Sequence, residues 1–300
     1  MKRIVSFLLI ILFGFISIIQ ADISEDLEQF GKENGQKYLQ PFVTAFGSDL
    51  NSGWFHKAKI RPFNIGFTIN GMLAVVPSDE KSFMIHNPNP DYYEGDYQKT
   101  ATVFGGNGAE FESTVPGVEN LRLPNGFNIG MVPLLVPQAH LGLPAGFEVA
   151  FRLIPKYDIK DYGELFFWGV GAKYQVSKLI PMLTTLLPIS VQASYQQLEV
   201  SDIIKVKSTF FNVHASRGLV AFPITLYGGI GYEDTKLEAK YTYTEPWPDG
   251  EIKSIDFNIS GENSLRFTAG VSLKILLLDV MLDYSVGKYQ TVRLGVGFSI

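Results

Sequence analysis

From residue 126 to residue 300 the chain alternates apolar and polar residues almost without pause, and this constrains its fold more than any other feature. Phe147, Val149, Phe151 and Leu153 interleave with Glu148, Ala150 and Arg152. Val292, Leu294, Val296, Phe298 and Ile300 interleave with Thr291, Arg293, Gly295, Gly297 and Ser299. A period of two is the mark of a β-strand with unlike faces. Many runs are long enough to cross a membrane at a tilt, which takes roughly 9–11 residues. An earlier run has the same form: Phe63, Ile65, Phe67, Ile69, Leu73 and Val75 oppose Asn64, Thr68 and Asn70.

Alternation does not say which face meets water. A soluble sandwich or barrel hides its apolar face, and a membrane barrel displays it. Two features favour display. The polar parity carries Gly66, Gly169, Gly171, Gly229, Gly231, Gly270, Gly295 and Gly297. Glycine weakens a strand, so such a row suits a crowded interior better than a solvated face. Trp168, Tyr174, Tyr195, Tyr232 and Tyr284 also recur near run ends, where a membrane interface places aromatic side chains. The expectation is an all-β chain: a transmembrane antiparallel barrel of about 12–14 strands with a short N-terminal helical plug.

The ends agree with an envelope location. Residues 1–21 read as a secretory signal: Lys2 and Arg3, an apolar stretch from Val5 to Ile19, and a small residue at Ala21. With no cysteine in the chain, a lipid-anchored thioether is excluded, as are disulfides and zinc-thiolate sites. Removing Lys2 and Arg3 takes the formal net charge from −5 to −7, which disfavours nucleic acid as a partner. The expected location is the outer membrane of a Gram-negative bacterium.

Residues 22–58 form the expected plug, folded into or under the barrel; the alternative is a helix lying across the periplasmic mouth. Leu27, Phe30, Tyr38, Phe42, Ala45, Phe46 and Leu50 recur at helical spacing, with breaks expected at Gly35 and Pro41. Phe30, Tyr38, Phe42, Phe46 and Trp54 are its candidate packing residues. The barrel is expected over 59–300, with residues 77–125 as an irregular insertion rich in Gly, Pro, Asn and Asp and one short hairpin near 100–114. Segments 126–143, with Pro133 and Pro137, and 252–260 are ambiguous as strands.

Several blocks together resemble an uncharacterised family of Gram-negative outer-membrane barrels: "LNSGWFHKAK" with "FNIGFTINGMLAVVP", "PQAHLGLPAGFEVAFRLIP", "WGVGAKYQV" and "SVGKYQTVRLGVGFSI". That family is similar in fold to the long-chain fatty-acid transporter superfamily, whose barrels carry an N-terminal plug. The resemblance implies the fold and assigns no activity.

For chemistry, "NVHAS" sets Asn212, His214 and Ser216 on one face, but neighbours on one face stand ~6.6–7 Å apart along a strand, too far for a direct Ser–His bond. His56, His86 and His140 lack ligand spacing, and Asp91, Glu94 and Asp96 do not match a calcium loop. No enzyme activity, cofactor or metal is expected. Arg152, Lys173, His214, Arg266, Asp279, Asp283 and Arg293, with Glu148 and Lys274, form a mixed-charge lumen face suited to anchoring the plug. The expected function is a plugged channel for small hydrophobic molecules, with outer-membrane lipid and such a ligand as partners. The alternatives are a structural or partner-binding envelope protein and, more distantly, a lipid-modifying barrel enzyme.

Overall fold

The computed structural model describes residues 23–87, 89–159, 163–180, 182, 186–201, 204–244 and 252–300. Residues 1–21, the expected signal, lie outside them. Helix α1 spans Ile23–Leu50. The strands that follow are β1 (Ile65–Val75), β2 (Ser82–His86), β3 (Tyr97–Ala101), β4 (Glu110–Phe111), β5 (Leu121–Arg122), β6 (Met131–Gly142), β7 (Phe147–Ile159) and β8 (Gly163–Tyr174). Then come β9 (Ile189–Val200), β10 (Ile204–Gly218), β11 (Ile224–Thr244), β12 (Ile252–Ser260), β13 (Leu265–Ile275), β14 (Leu278–Val286) and β15 (Gln290–Ser299).

Among the described residues ten strands close a barrel in the order β10-β9-β8-β7-β6-β1-β15-β14-β13-β11, with β11 returning to β10. Every pairing is antiparallel, and Ile65 and Ile300 exchange backbone hydrogen bonds where first and last strands meet. Closure leaves no unpaired edge to face lipid. Ten is fewer than the 12–14 expected. Long β11 accounts for part of the difference: residues 224–232 pair with β13, and residues 236–244 pair with β12 in a hairpin beyond the barrel. The alternation reads as two strands there because the surroundings of each face change along its length.

The apolar parity faces outward. Phe151, Phe211, Val213, Leu226, Phe267, Leu294 and Phe298 are exposed, whereas Thr68, Gln192, Asn212, Arg266, Asp283 and Arg293 on the other parity are buried. No described helix is long and apolar enough to cross a membrane; the outward apolar belt belongs to the strands. Toward one end the outward face becomes charged, with Lys205–Glu199 at 2.8 Å, Lys207–Glu238 at 2.6 Å and Lys156–Glu164 at 2.9 Å. There the strands leave the apolar belt and stand in water.

Beyond that boundary the interior becomes a conventional core. Met72, Val132, Leu134, Val136, Leu165, Phe167, Leu198, Val206 and Leu237 point inward and bury Tyr38, Phe42, Phe46 and Leu50 of α1. The cap formed by residues 76–130 closes over them with Val103, Phe104, Phe111 and Leu123. Two small sheets organise this cap, β2–β3 and β4–β5, where the sequence suggested loop with a single hairpin. The Tyr38 hydroxyl donates to the Asn125 carbonyl at 2.8 Å, and the Val103 N–H to the Tyr38 carbonyl at 3.1 Å.

Two local expectations are corrected. Helix α1 runs unbroken through Gly35 and Pro41. Pro41 removes one helical hydrogen bond, and burial of Tyr38, Leu39, Phe42 and Val43 around it offsets that loss. Segment β6 is a barrel strand despite Pro133 and Pro137. Both prolines pair with β1, whereas the β6–β7 ladder covers only Gln138–Gly142, so neither ring interrupts it.

Candidate functional site

After α1 the chain turns at Gly53, whose positive φ of 74° suits glycine at a helix end. It then crosses the lumen as an irregular segment, residues 51–64, and emerges at the opposite mouth to begin β1. One opening is the cap mouth; the other is the terminal mouth, where Ile65 meets Ile300.

The last turn of α1 carries no basic residue of its own, although its carbonyls form the negative end of the helix dipole. Barrel strands supply the cations. Arg266 on β13 donates to the Ser48 carbonyl at 2.6 Å and to the Ser52 hydroxyl at 2.6 Å, and its other face pairs with Glu233 at 2.9 Å. Arg152 on β7 donates to the carbonyls of Leu50 and Ser52, both at 2.6 Å, and to Gln138 at 2.9 Å and Gln196 at 3.1 Å. Arg293 on β15 is held by Asp283 at 2.8 Å and Asn70 at 3.0 Å. Charge-assisted bonds of this kind are stronger than neutral ones, and planar guanidinium groups can bridge two carbonyls.

Farther along, Trp54 lies against Gly171, where an added Cβ would stand 2.9 Å from its ring. Phe55 stacks on His214 with centroids 4.3 Å apart. The Ser190 hydroxyl donates to the Ala58 carbonyl at 2.6 Å, and the Ala58 N–H donates to Ser216 Oγ at 2.8 Å. Lys173 bonds the Lys57 carbonyl at 3.0 Å and pairs with Glu148 at 2.6 Å, while Lys57 pairs with Asp279 at 2.7 Å. The Ile60 N–H reaches Gln175 Oε1 at 2.9 Å. The segment's backbone groups are thus bonded to the wall much as an extra strand would be, but through side chains.

Tyr38, Phe42 and Phe46 sit in the apolar chamber at the cap mouth, and Trp54 in the glycine-lined half. The Phe30 side chain lies outside the described residues. Arg152, Lys173 and Arg266 touch the N-terminal segment directly, His214 does so through Phe55, and Asp279 through Lys57. Asp283 and Arg293 form the wall pair beside Gly53. Sequence reading passed over Ser190, Gln192 and Gln196, which bond the backbone carbonyls of Ala58, Trp54 and Leu50 directly, and Gln138, which braces Arg152. Their polar parity was the available signal. Asp49 was also passed over; its carboxyl is fully buried, and although Arg266 and the Ala74 backbone N–H favour the charged form, burial pushes it well above the usual range.

The Asn212–His214–Ser216 set forms no nucleophile–base pair. His214 Nδ1 bonds Asn212 Oδ1 at 2.7 Å, and the Ser216 hydroxyl is taken by Ala58. His56 and His140 meet edge to face at 5.8 Å, yet no group of three metal-binding side chains gathers among the described residues.

One protein family matches the sequence along its whole length, residues 1–300. The chain belongs to that family of unknown function, DUF6588. No curated protein matches this family member in sequence. Solved barrels resemble it loosely. The β domain of the Bordetella autotransporter BrkA is 12% identical, covering 79% of this chain and 99% of that one, with a TM-score of 0.37. The attachment invasion locus protein Ail of Yersinia pestis is 12% identical over 80% of this chain and 100% of that one, with a TM-score of 0.24. The translocator domain of the autotransporter NalP from Neisseria meningitidis is 9% identical over 93% and 99%, with a TM-score of 0.28. At these scores no role transfers. These similarities do not extend the expected likeness in fold to long-chain fatty-acid transporters.

Proposed function

We propose that this DUF6588 protein is an outer-membrane barrel of a Gram-negative bacterium, held closed by its own N-terminal segment, that admits small molecules only when residues 51–64 shift. The observation that carries this reading is the route of those residues from the cap mouth to the terminal mouth, bonded to polar side chains throughout. A barrel of this size leaves little room beyond its own side chains. The apolar chamber at the cap mouth and the polar half below it suit a small molecule with an apolar body and a polar end better than a purely apolar one.

Planar-bilayer conductance tests the reading, and the absence of native cysteine makes a disulfide lock clean. Ala58→Cys with Ser216→Cys joins the segment to the wall where Ala58 already bonds Ser216. Occasional openings of the wild-type chain, lost on oxidation of the pair and regained on reduction, support a gate. Silence of the wild type, together with silence of a Trp54→Gly/Phe55→Gly chain that stays folded, favours the second reading: a non-transporting envelope protein. That second reading draws on the extensive bonding of the segment and on the organised cap, whose Met84, Tyr92 and Tyr97 are exposed.

A further inference from the structure

At the terminal mouth a cavity of about 680 Å³ opens where the lumen segment emerges. Five cations line it: Lys57, Lys59, Arg61, Arg217 and Lys274. One carboxylate, Asp279, stands behind the wall and serves Lys57 at 2.7 Å and Lys274 at 3.6 Å. Lys59, Arg61 and Arg217 make no salt bridge to any described residue; Arg217 donates only to the Leu186 carbonyl at 2.9 Å. Three like charges line one cavity with no described side-chain carboxylate paired to them, an arrangement that favours the entry of an anion.

The rim of this cavity is apolar. Leu219, Val220, Phe222 and Leu276 line it, and Val220 and Leu276 are 105% and 90% exposed at the tips of their turns. These tips continue the outward belt through Leu277, Leu278 and Leu226, which are exposed as well. Exposed apolar side chains at turn tips are out of place in water but not at the lipid boundary. A cationic cavity whose open side runs into the lipid-facing surface is complementary to one kind of molecule: an anionic headgroup with an acyl tail attached.

We propose that the terminal mouth binds an anionic membrane lipid, its phosphate held by Lys59, Arg61 and Arg217 and its acyl chain lying against Val220, Phe222 and Leu276. The site does not depend on whether the barrel conducts. Lys59 and Arg61 belong to the lumen segment itself, as does Lys57 beside them, so an occupied site tethers that segment at the mouth.

The test is calorimetric titration of the full chain, refolded in dodecyl maltoside micelles, with dodecyl phosphate, dodecylphosphocholine and inorganic phosphate. Dodecyl phosphate is expected to bind saturably, with the zwitterion and inorganic phosphate at least about tenfold weaker. Lys59→Gln/Arg61→Gln/Arg217→Gln should weaken dodecyl phosphate about tenfold or more. These three side chains are exposed, and retained heat-modifiable migration on gels checks that the variant stays folded. Val220→Ser/Leu276→Ser should weaken dodecyl phosphate and leave inorganic phosphate unchanged. Equal binding of dodecyl phosphate by wild type and triple variant overturns the site. Inorganic phosphate as tight as dodecyl phosphate overturns the lipid and leaves a simple anion hole; equal binding of the zwitterion overturns recognition by charge.

Discussion

The guanidinium carbon of Arg152 lies 4.0 Å from the centroid of the Trp54 ring. A single barrel-wall side chain therefore meets the N-terminal segment twice, through the carbonyls of Leu50 and Ser52 on its edge and through an indole on its face. Cation–π contact contributes up to ~2 kcal/mol when water is excluded. Arg152→Met is expected to lower unfolding stability by about 3 kcal/mol, because the Ser52 carbonyl and two glutamine amide oxygens lose their donor and the Leu50 carbonyl keeps only that of Gln196. Arg152→Lys should recover only part, since an ammonium cannot span both carbonyls while stacking on the ring. Urea titration followed by gel mobility measures both.

Gly171 and Trp54 should be coupled. A side chain at 171 meets the indole, so Gly171→Val is expected to destabilise the wild-type chain by about 2 kcal/mol and to do little in a Trp54→Ala background. A double-mutant cycle reads the coupling directly. Equal effects in both backgrounds would show that the strand, not the indole, requires glycine.

Asp49 sets a pH dependence of known sign. Burial raises its folded-state value well above 3.8, so the folded chain holds this proton more tightly than the unfolded chain. The associated stability is complete below pH 3.8 and is lost as pH rises through the raised value. Asp49→Asn, which cannot ionise, should remove that part of the slope. It should match or exceed the wild type above neutrality. Unfolding midpoints across a pH series for both chains provide the check.

The cap is tied to the barrel through Lys288, which pairs with Glu80 at 2.8 Å and Glu262 at 3.0 Å. Those two carboxylates raise the Lys288 pKa. Lys288 is partly exposed, so Lys288→Met should cost no more than about 1 kcal/mol globally. Its local effect should be larger: faster amide exchange in residues 78–104, reproduced in wild type by high salt.

How much of this was legible in the sequence depends on where a residue sits along the barrel axis. Ile230 and Tyr232 face outward and Leu237 faces inward, all on one uninterrupted strand. Below the boundary the apolar parity seeks lipid; above it, the apolar parity seeks the core around α1. The strand keeps its register while the apolar residues change parity, and a reading by periodicity therefore counts two strands where there is one. The same inversion hid Phe167 and Val206 as core residues. Lumen charges such as Arg152 and Arg266 were visible because a cation on a glycine-rich parity, in a strand whose opposite face is apolar, has to point into the barrel. Their partners were not, since the groups they hold are backbone carbonyls, which carry no sequence signature.

The positions of α1 and β1 also restrict how the pore could ever clear. The helix lies at the cap mouth, and Ile65, fifteen residues on from Leu50, is fixed at the terminal mouth. A chain with one end on each side of a ring stays threaded through it. Swinging α1 away from the cap would leave backbone in the hole, and no hinge at either mouth changes that. Full clearance requires the helix itself to be drawn through the ring to the side where β1 begins. The same topology applies in assembly: a thread laid down before β15 meets β1 is enclosed as the seam forms, whereas one added later has to pass through the needle's eye.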